Sequence, residues 1–80
     1  MDDNIIALYE NKKLIVQTAN IILSGKLKVV DHYNPENIMF THEILNTDFI
    51  RVAAELPNGK LQIQIITPQK KIIKNLIIHE

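Results

Sequence analysis

The chain has 80 residues, enough for one domain, and its 46% hydrophobic and 22% charged residues are typical of a folded protein rather than a disordered one. Nine basic and nine acidic residues cancel, which argues against a nucleic-acid-binding surface and against a polybasic membrane anchor. The absence of cysteine excludes disulfide bonds, thiolate metal sites and a cysteine nucleophile.

The sequence also limits where the protein is expected to act. No apolar run approaches the roughly 20 residues that a membrane-spanning helix needs, so no membrane insertion is expected. The acidic start, Met1-Asp2-Asp3-Asn4, predicts no secretory signal peptide. We therefore expect a cytoplasmic protein if Met1 is the native start. We expect a secreted or cell-surface protein if the chain is a domain of a larger exported one.

Three segments of the first half are predicted to be β-strands: residues 5–9, 13–18 and 26–30. Residues spaced by two line one face of a strand. Leu14 and Val16 are therefore expected on the inner face of the second segment, and Leu27 and Val29 on the inner face of the third. Residues 20–25 contain turn-forming residues and are predicted to separate these two strands.

Residues 35–56 allow two interpretations. Asn34-Pro35-Glu36 has the cap, the first-turn proline and the acidic residue of a helix start, and Thr47-Asp48 offers a second cap. The alternation of apolar residues over residues 38–45 and 49–54 instead predicts strands. We favour strands, and the alternative is an α+β domain with two short helices within residues 35–56.

The last quarter has the most regular strand pattern. In residues 61–65 the apolar members are expected to face inward and the polar ones outward: Leu61, Ile63 and Ile65 against Gln62 and Gln64. Asn58-Gly59 is the strongest two-residue hairpin signal, and Pro68 is expected to end the segment after it. Residues 72–78 are apolar on both faces, which is typical of a strand covered on both sides or one whose outer face meets a partner.

Seven short strands spaced roughly 8–12 residues apart are typical of a two-sheet antiparallel sandwich. We therefore predict an all-β fold in which residues 1–80 form a single β-sandwich domain. Phe40 and Phe49 are assigned to its core, and Tyr33 to the tip of a loop.

The order of these features resembles a known family. The segments "NKKLIVQ", "GKLKVVD" and "NTDFIRVAAELPNGKLQIQIITPQKKIIKNLII" are similar to successive blocks of the C-terminal sorting domain of the bacterial type IX secretion system. That pattern has an early L-x-V/I strand and a V-x-V-x-D strand. A V/I-x-V-x-x-L-x-x-G-x-Y-x-V-x-I block follows, and a K-x-x-K-x-x-V/I strand ends it.

The resemblance implies a seven-stranded immunoglobulin-like sandwich that acts by being recognised rather than by reacting. Such a domain follows a cargo protein and serves as a secretion signal, so its partners are components of the secretion translocon. The residues that the translocon would read are the ones that match the family pattern near the end of the chain: Leu56, Pro57, Gly59, Lys71, Lys74, Ile77 and Ile78.

No motif for catalysis or metal binding is present. His32, His42 and His79 are not paired with a second ligand at helical spacing, and no H-E-x-x-H occurs. Ser24 lacks the G-x-S-x-G elbow of a nucleophile, and Gly59 alone makes no phosphate-binding loop. We therefore expect no enzyme activity, no cofactor, and no catalytic, cofactor-binding or metal site.

A second function is open from the residues alone. An exposed edge strand, within residues 72–78, would pair with a strand of a protein partner by β-augmentation. The same edge would pair with a second copy of this chain and give a homodimer. In that case the chain would be a stand-alone interaction module.

Overall fold

The computed structural model describes residues 4–79, and within that range it contains five β-strands and no helix. The strands are β1 (Ile5–Glu10), β2 (Lys13–Asp31), β3 (Ile38–Ala53), β4 (Gly59–Ile66) and β5 (Lys71–Ile78). The all-β prediction is confirmed. The alternative with two helices in residues 35–56 is wrong, because most of that region is one long strand paired with β2.

All five strands belong to one antiparallel sheet, which curls into a half-barrel. β2 is its central strand, and β3 pairs along one side of it. β1 and β4 both pair with the other side, β1 opposite residues 13–18 and β4 opposite residues 26–31. β5 pairs with β4, and some of its Cα atoms come within 8 Å of Cα atoms in β1. The predicted division into two sheets of a sandwich is not confirmed.

The predicted number of seven strands is wrong, because two pairs of predicted strands are continuous. Residues 20–25 do not interrupt β2, since β3 pairs with this stretch from Ile22 opposite Thr47 to Gly25 opposite Ile44. The two predicted strands of the middle region are likewise joined in β3, through Asn46 with a φ of 51°. Pairing with a distant strand therefore keeps β2 extended where local preferences favour a turn, and it keeps β3 continuous on either side of one left-handed residue.

A large β-bulge in β2 changes which residues face the core. From the pair Gln17–Phe49 to the pair Ile22–Thr47, β2 advances five residues (17 to 22) and β3 only two (49 to 47). The three extra residues are an odd number, so the inward face of β2 changes from even to odd positions. Before the bulge the buried residues are Leu14, Val16 and Thr18, and after it they are Leu27 and Val29. Val30 is also buried, beyond a second register shift between Val29 and Val30.

The core is lined by inward side chains of all five strands, and its fully buried large members are Leu14, Val16, Leu27, Val29, Val30, Ile44, Leu61, Ile63 and Ile65. The inward positions predicted for β2 and β4 are confirmed. Gln64 is nevertheless buried, and its Nε2 donates a hydrogen bond to Oε1 of Gln62 at 2.8 Å.

Phe40 packs against the core as predicted, but the assignment of Phe49 to the core is wrong. Phe49 is 48% exposed, because it lies opposite Gln17 on the outer face of the sheet. The next residue, Ile50, lies opposite Val16 and takes the inward position instead.

The turns are only partly those that the sequence predicts. β1 and β2 are joined by Asn11 and Lys12, whose φ values of 54° and 61° are those of a two-residue type I′ hairpin. The sequence gives only Asn11 as a weak sign of this turn. Asn58-Gly59 is not a hairpin turn, and that prediction is wrong, because β3 and β4 pair with β2 and not with each other.

A tyrosine hydroxyl holds the link between β3 and β4. The Tyr9 hydroxyl donates a hydrogen bond to the Ala54 carbonyl at 2.7 Å and accepts one from the Leu56 N–H at 3.1 Å. The Ala54 N–H also donates to the Lys12 carbonyl at 2.9 Å. This link is therefore fastened to the β1–β2 hairpin and runs close beside it.

Candidate protein-interaction site

The residues predicted to be read by a translocon do not form one cluster. Gly59 lies opposite Ile78 at one end of the β4–β5 ladder, and Lys71 lies opposite Ile66 at the other end. Lys71 and Ile77 are six positions apart in an extended strand, which corresponds to about 20 Å. Lys74 is exposed near the middle of β5, opposite Ile63.

The members near Gly59 differ in how accessible they are. Leu56 is half-buried and packs against the core, and Pro57 beside it is exposed. Gly59 has a φ of 129°, a left-handed value that favours glycine, and open space surrounds the position that a Cβ would take. Glycine at this position is therefore explained by the backbone conformation, and not by the close approach of another group.

β5 carries two different faces. The outward row contains Lys71, Ile73, Asn75 and Ile77, and the ladder with β4 places Ile73 opposite Gln64 and Ile77 opposite Lys60. Ile73 is 51% exposed and Ile77 61% exposed, whereas Ile78 is buried. Both outward isoleucines are thus far more exposed to solvent, among the described residues, than any residue of the core. The outer face of the last strand is thus an alternating polar and apolar row open to solvent.

The backbone of β5 has ladder partners on one side. Its eight residues pair with β4, and no second ladder to β5 exists in the part of the chain that the structure describes. β1 has Cα atoms within 8 Å of Cα atoms in β5, but no ladder joins these two strands. β5 is therefore an edge strand, as the second functional hypothesis requires.

A second exposed apolar surface lies on the outer side of β1, β2 and β3, and the sequence did not reveal it. Adjacent rows place Ile6, Gln17 and Phe49 side by side, and next to them Leu8, Ile15 and Arg51. Ile6, Leu8 and Phe49 are each about half-exposed or more. The weak sign of this surface is that both faces of β1 are apolar, so alternation alone does not tell which face is inside.

Two of the three histidines lie beside an aromatic ring. His42 stacks on Phe40 with ring centroids 6.4 Å apart, and His32 meets the edge of Tyr33 at 5.0 Å. No group of three histidine or carboxylate side chains able to hold a metal ion occurs among residues 4–79. The same part of the chain has no helix that is long and apolar enough to cross a membrane.

Among the described residues, the outward row of β5 and the edge of β5 that has no ladder are therefore the features that best fit a recognition site. They include or adjoin Lys71, Lys74 and Ile77 of the predicted recognition residues. No protein-family model, curated protein or solved structure matches this chain.

Proposed function

We propose that this chain is a non-catalytic domain whose last strand is recognised by a protein. The resemblance to C-terminal sorting domains makes components of the type IX secretion translocon the first candidate partner. The observation that supports this most directly is the outward row of β5, in which Ile73 and Ile77 are exposed between polar neighbours. Exposed apolar side chains on an ordered strand are suited to binding, because they lose little conformational freedom when a partner covers them.

The residues that match the family pattern then have two different tasks. Ile78 and Leu56 hold the strand and the β3–β4 link to the core. Ile77 and the two lysines, Lys71 and Lys74, point into solvent and are available to a partner. In this proposal the buried members set the position of β5, and the exposed members are the ones that are read.

The test is export of a reporter that carries this chain at its C-terminus, in a bacterium with a type IX system and behind an inner-membrane signal peptide. We expect export of the wild-type fusion and loss of export for Ile77→Asp. Ile77 is exposed, so this change is expected to leave the fold intact, which circular dichroism of the isolated variant would verify. Ile78→Asp would be uninformative, because it places a charge in the core.

The matched control is Leu8→Asp, which introduces the same charge at a similarly exposed strand position, on β1 rather than on β5. If Leu8→Asp abolishes export as Ile77→Asp does, the loss reflects a general effect of the added charge on the fusion protein. Continued export of the Ile77→Asp fusion would contradict recognition through the outward row.

The second candidate function is strand pairing through the free edge of β5, and the absence of a ladder on that side within the described residues favours it. The partner would be a strand of another protein or a second copy of this chain. Sedimentation over a wide concentration range tests self-pairing. A concentration-dependent dimer, with slower amide exchange in β5 at high concentration, would support it, and a monomer at every concentration would contradict it.

A further inference from the structure

β3 is a second edge strand of the sheet, and it is longer than β5. It has 16 residues, and β2 pairs with it along one side only. Within the described chain no ladder joins its other side, and β2 is the only strand whose Cα atoms come within 8 Å of those of β3. The residues outside the described range lie in sequence next to β1 and β5, which are both across β2 from this edge. The free edge of β3 is therefore a property of the central part of the sheet, and not of the ends of the chain.

Alternate residues of β3 direct their backbone N–H and C=O groups toward this edge. The two-residue turn at residues 11–12 makes Glu10 and Lys13 a hydrogen-bonded pair, so odd-numbered residues of this part of β2 bond to β1 and even-numbered ones to β3. The β3 residues opposite the odd-numbered ones therefore point their backbone groups away from β2. Phe49 is one of them, and its N–H donates to the Thr47 hydroxyl at 3.1 Å instead of to β2.

The first half of β3 has the same arrangement. The Thr67 N–H donates to the Lys70 carbonyl in the β4–β5 turn, so the odd-numbered residues of β4 bond to β5 and the even-numbered ones to β2. The β2 residues that bond to β4 are then also even-numbered, and the odd-numbered ones bond to even-numbered residues of β3, as Leu27 does to His42. Odd-numbered residues thus face the free edge in both halves of β3: Thr41, Glu43, Leu45, Phe49, Arg51 and Ala53.

A second copy of the chain fits this edge in antiparallel orientation. A two-fold axis beside Thr47 pairs each residue before Thr47 with the residue equally far after it in the second copy. Glu43 then lies opposite Arg51 of the second copy, and Leu45 lies opposite Phe49 of the second copy. Each of these contacts occurs twice because of the symmetry. Both members of every such pair have backbone groups that face the edge, as a hydrogen-bonded ladder requires.

The side chains at this register complement one another. Leu45 is 76% exposed and Phe49 is 48% exposed, and the pairing covers each with the other. The Glu43 side chain is 78% exposed, and Arg51 is exposed and has no ion pair within the described chain. A shift of two residues in either direction loses this match, because it places Glu43 opposite Phe49 or opposite Ala53. Opposite charges and apolar side chains therefore coincide at the register centred on Thr47.

The shape of β3 supports the same position of the axis. Sixteen residues of straight strand would span about 50 Å. The principal axes of the molecule measure only 31, 24 and 21 Å, so β3 is bent. Asn46, with a φ of 51°, is its irregular residue and lies next to Thr47. The bends of the two copies therefore coincide at this register, and the halves of β3 on either side of the bend can pair separately.

We propose that two copies of this chain pair through the free edges of β3 and form one continuous antiparallel sheet around a two-fold axis at Thr47. The Glu43–Arg51 and Leu45–Phe49 contacts set the register. The contact is small, and the Thr47 hydroxyl has to release the Phe49 N–H, so we expect a weak dimer that forms at high protein concentration. This interface differs from self-pairing through β5, and it does not depend on what the last strand binds.

The test is sedimentation of the full chain up to millimolar concentration, together with amide hydrogen exchange read residue by residue by NMR. We expect a concentration-dependent dimer, with exchange slowed at least about tenfold at the edge-facing amides of β3, such as those of Glu43 and Leu45. A strict monomer would overturn the proposal, and so would a dimer whose slowed amides lie in β5. Ile77→Asp should dimerise as the wild type does, and loss of the dimer in this variant would likewise overturn it.

Charge exchange tests the register itself. Glu43→Arg and Arg51→Glu each place like charges opposite one another twice, so each should weaken dimerisation at least about tenfold. Circular dichroism of the two exposed-site variants checks that they fold. Glu36→Arg, the same change at an exposed residue outside the paired stretch, should leave the dimer unchanged. An equal effect of Glu36→Arg would show a dependence on net charge and would contradict this register.

An equal mixture of the Glu43→Arg and Arg51→Glu proteins gives the sharpest comparison. In a mixed dimer every contact between these two positions again joins opposite charges. The mixture should therefore form a heterodimer at least about tenfold tighter than either variant forms with itself. A mixture that dimerises no better than the separate variants would overturn the proposal.

Discussion

Ile77 and Ile78 follow one another in β5, yet one is 61% exposed and the other 3% exposed. The ladder with β4 is the cause, since it places Ile77 opposite Lys60 on the outer face and Ile78 opposite Gly59 on the inner face. Two residues of the same type therefore have different tasks at the end of the chain. One stabilises the sheet, and the other is available to a partner.

Truncating these two isoleucines should affect stability very differently. Ile78→Ala removes buried methyl groups and leaves a cavity, which should lower the free energy of unfolding by about 2–5 kcal/mol. Ile77→Ala removes exposed atoms and should cost less than about 1 kcal/mol, mainly through its lower strand preference. Urea unfolding followed by circular dichroism measures both. Equal losses would show that Ile77 is also part of the core.

Removing the Tyr9 hydroxyl should loosen the link between β3 and β4. Tyr9→Phe leaves the Ala54 carbonyl and the Leu56 N–H without their shared partner, which should lower the free energy of unfolding by about 1–3 kcal/mol. Tyr33→Phe is the matched control, because Tyr33 is 79% exposed, and it should change stability by less than about 0.5 kcal/mol. An unchanged midpoint in urea for Tyr9→Phe would contradict this role of the hydroxyl.

Adding a methyl group at Gly25 should strain the sheet where β2 passes the end of β4. The new Cβ in Gly25→Ala would meet the Ile66 carbonyl oxygen at 2.8 Å, and backbone atoms cannot move aside easily. The expected loss of stability is about 1–3 kcal/mol. Ser24→Ala, an exposed neighbour, should change it by less than about 0.5 kcal/mol. Thermal unfolding of the two variants distinguishes a steric clash at Gly25 from a general sensitivity of this part of β2 to substitution.

The ion pair between Lys26 and Glu43 should contribute little. Lys26 Nζ lies 3.7 Å from Glu43 Oε2 across the β2–β3 ladder, but both side chains are largely open to water. A double-mutant cycle of Lys26→Ala and Glu43→Ala should give a coupling energy of about 0.2–1 kcal/mol at low salt. The coupling should fall in 1 M salt, because screening acts on exposed charges. A coupling that salt does not change would contradict this view of the pair.

The alternation of side chains predicts much of the core correctly. Leu14 and Val16, Leu27 and Val29, and the apolar members of β4 are all inside, because the two-residue period of an extended chain is a local property. The same reasoning fails where both faces of a strand are apolar. In β5 only the register with β4 decides that Ile78 is inside and Ile77 outside. The sequence alone therefore could not distinguish the exposed residues of the candidate site from the buried ones.

The amino-acid sequence by itself therefore determined that the chain forms extended strands and which residues fill most of the core. The tertiary structure alone decided how many strands there are, because β3 pairs across residues 20–25 and keeps β2 continuous through turn-forming residues. It also decided the bulge that reverses the inward face of β2, the outward position of Phe49, and the pairing of β1 and β4 with successive parts of the same side of β2. These features depend on hydrogen bonds between residues far apart in the chain, and local residue preferences carry no information about such pairing.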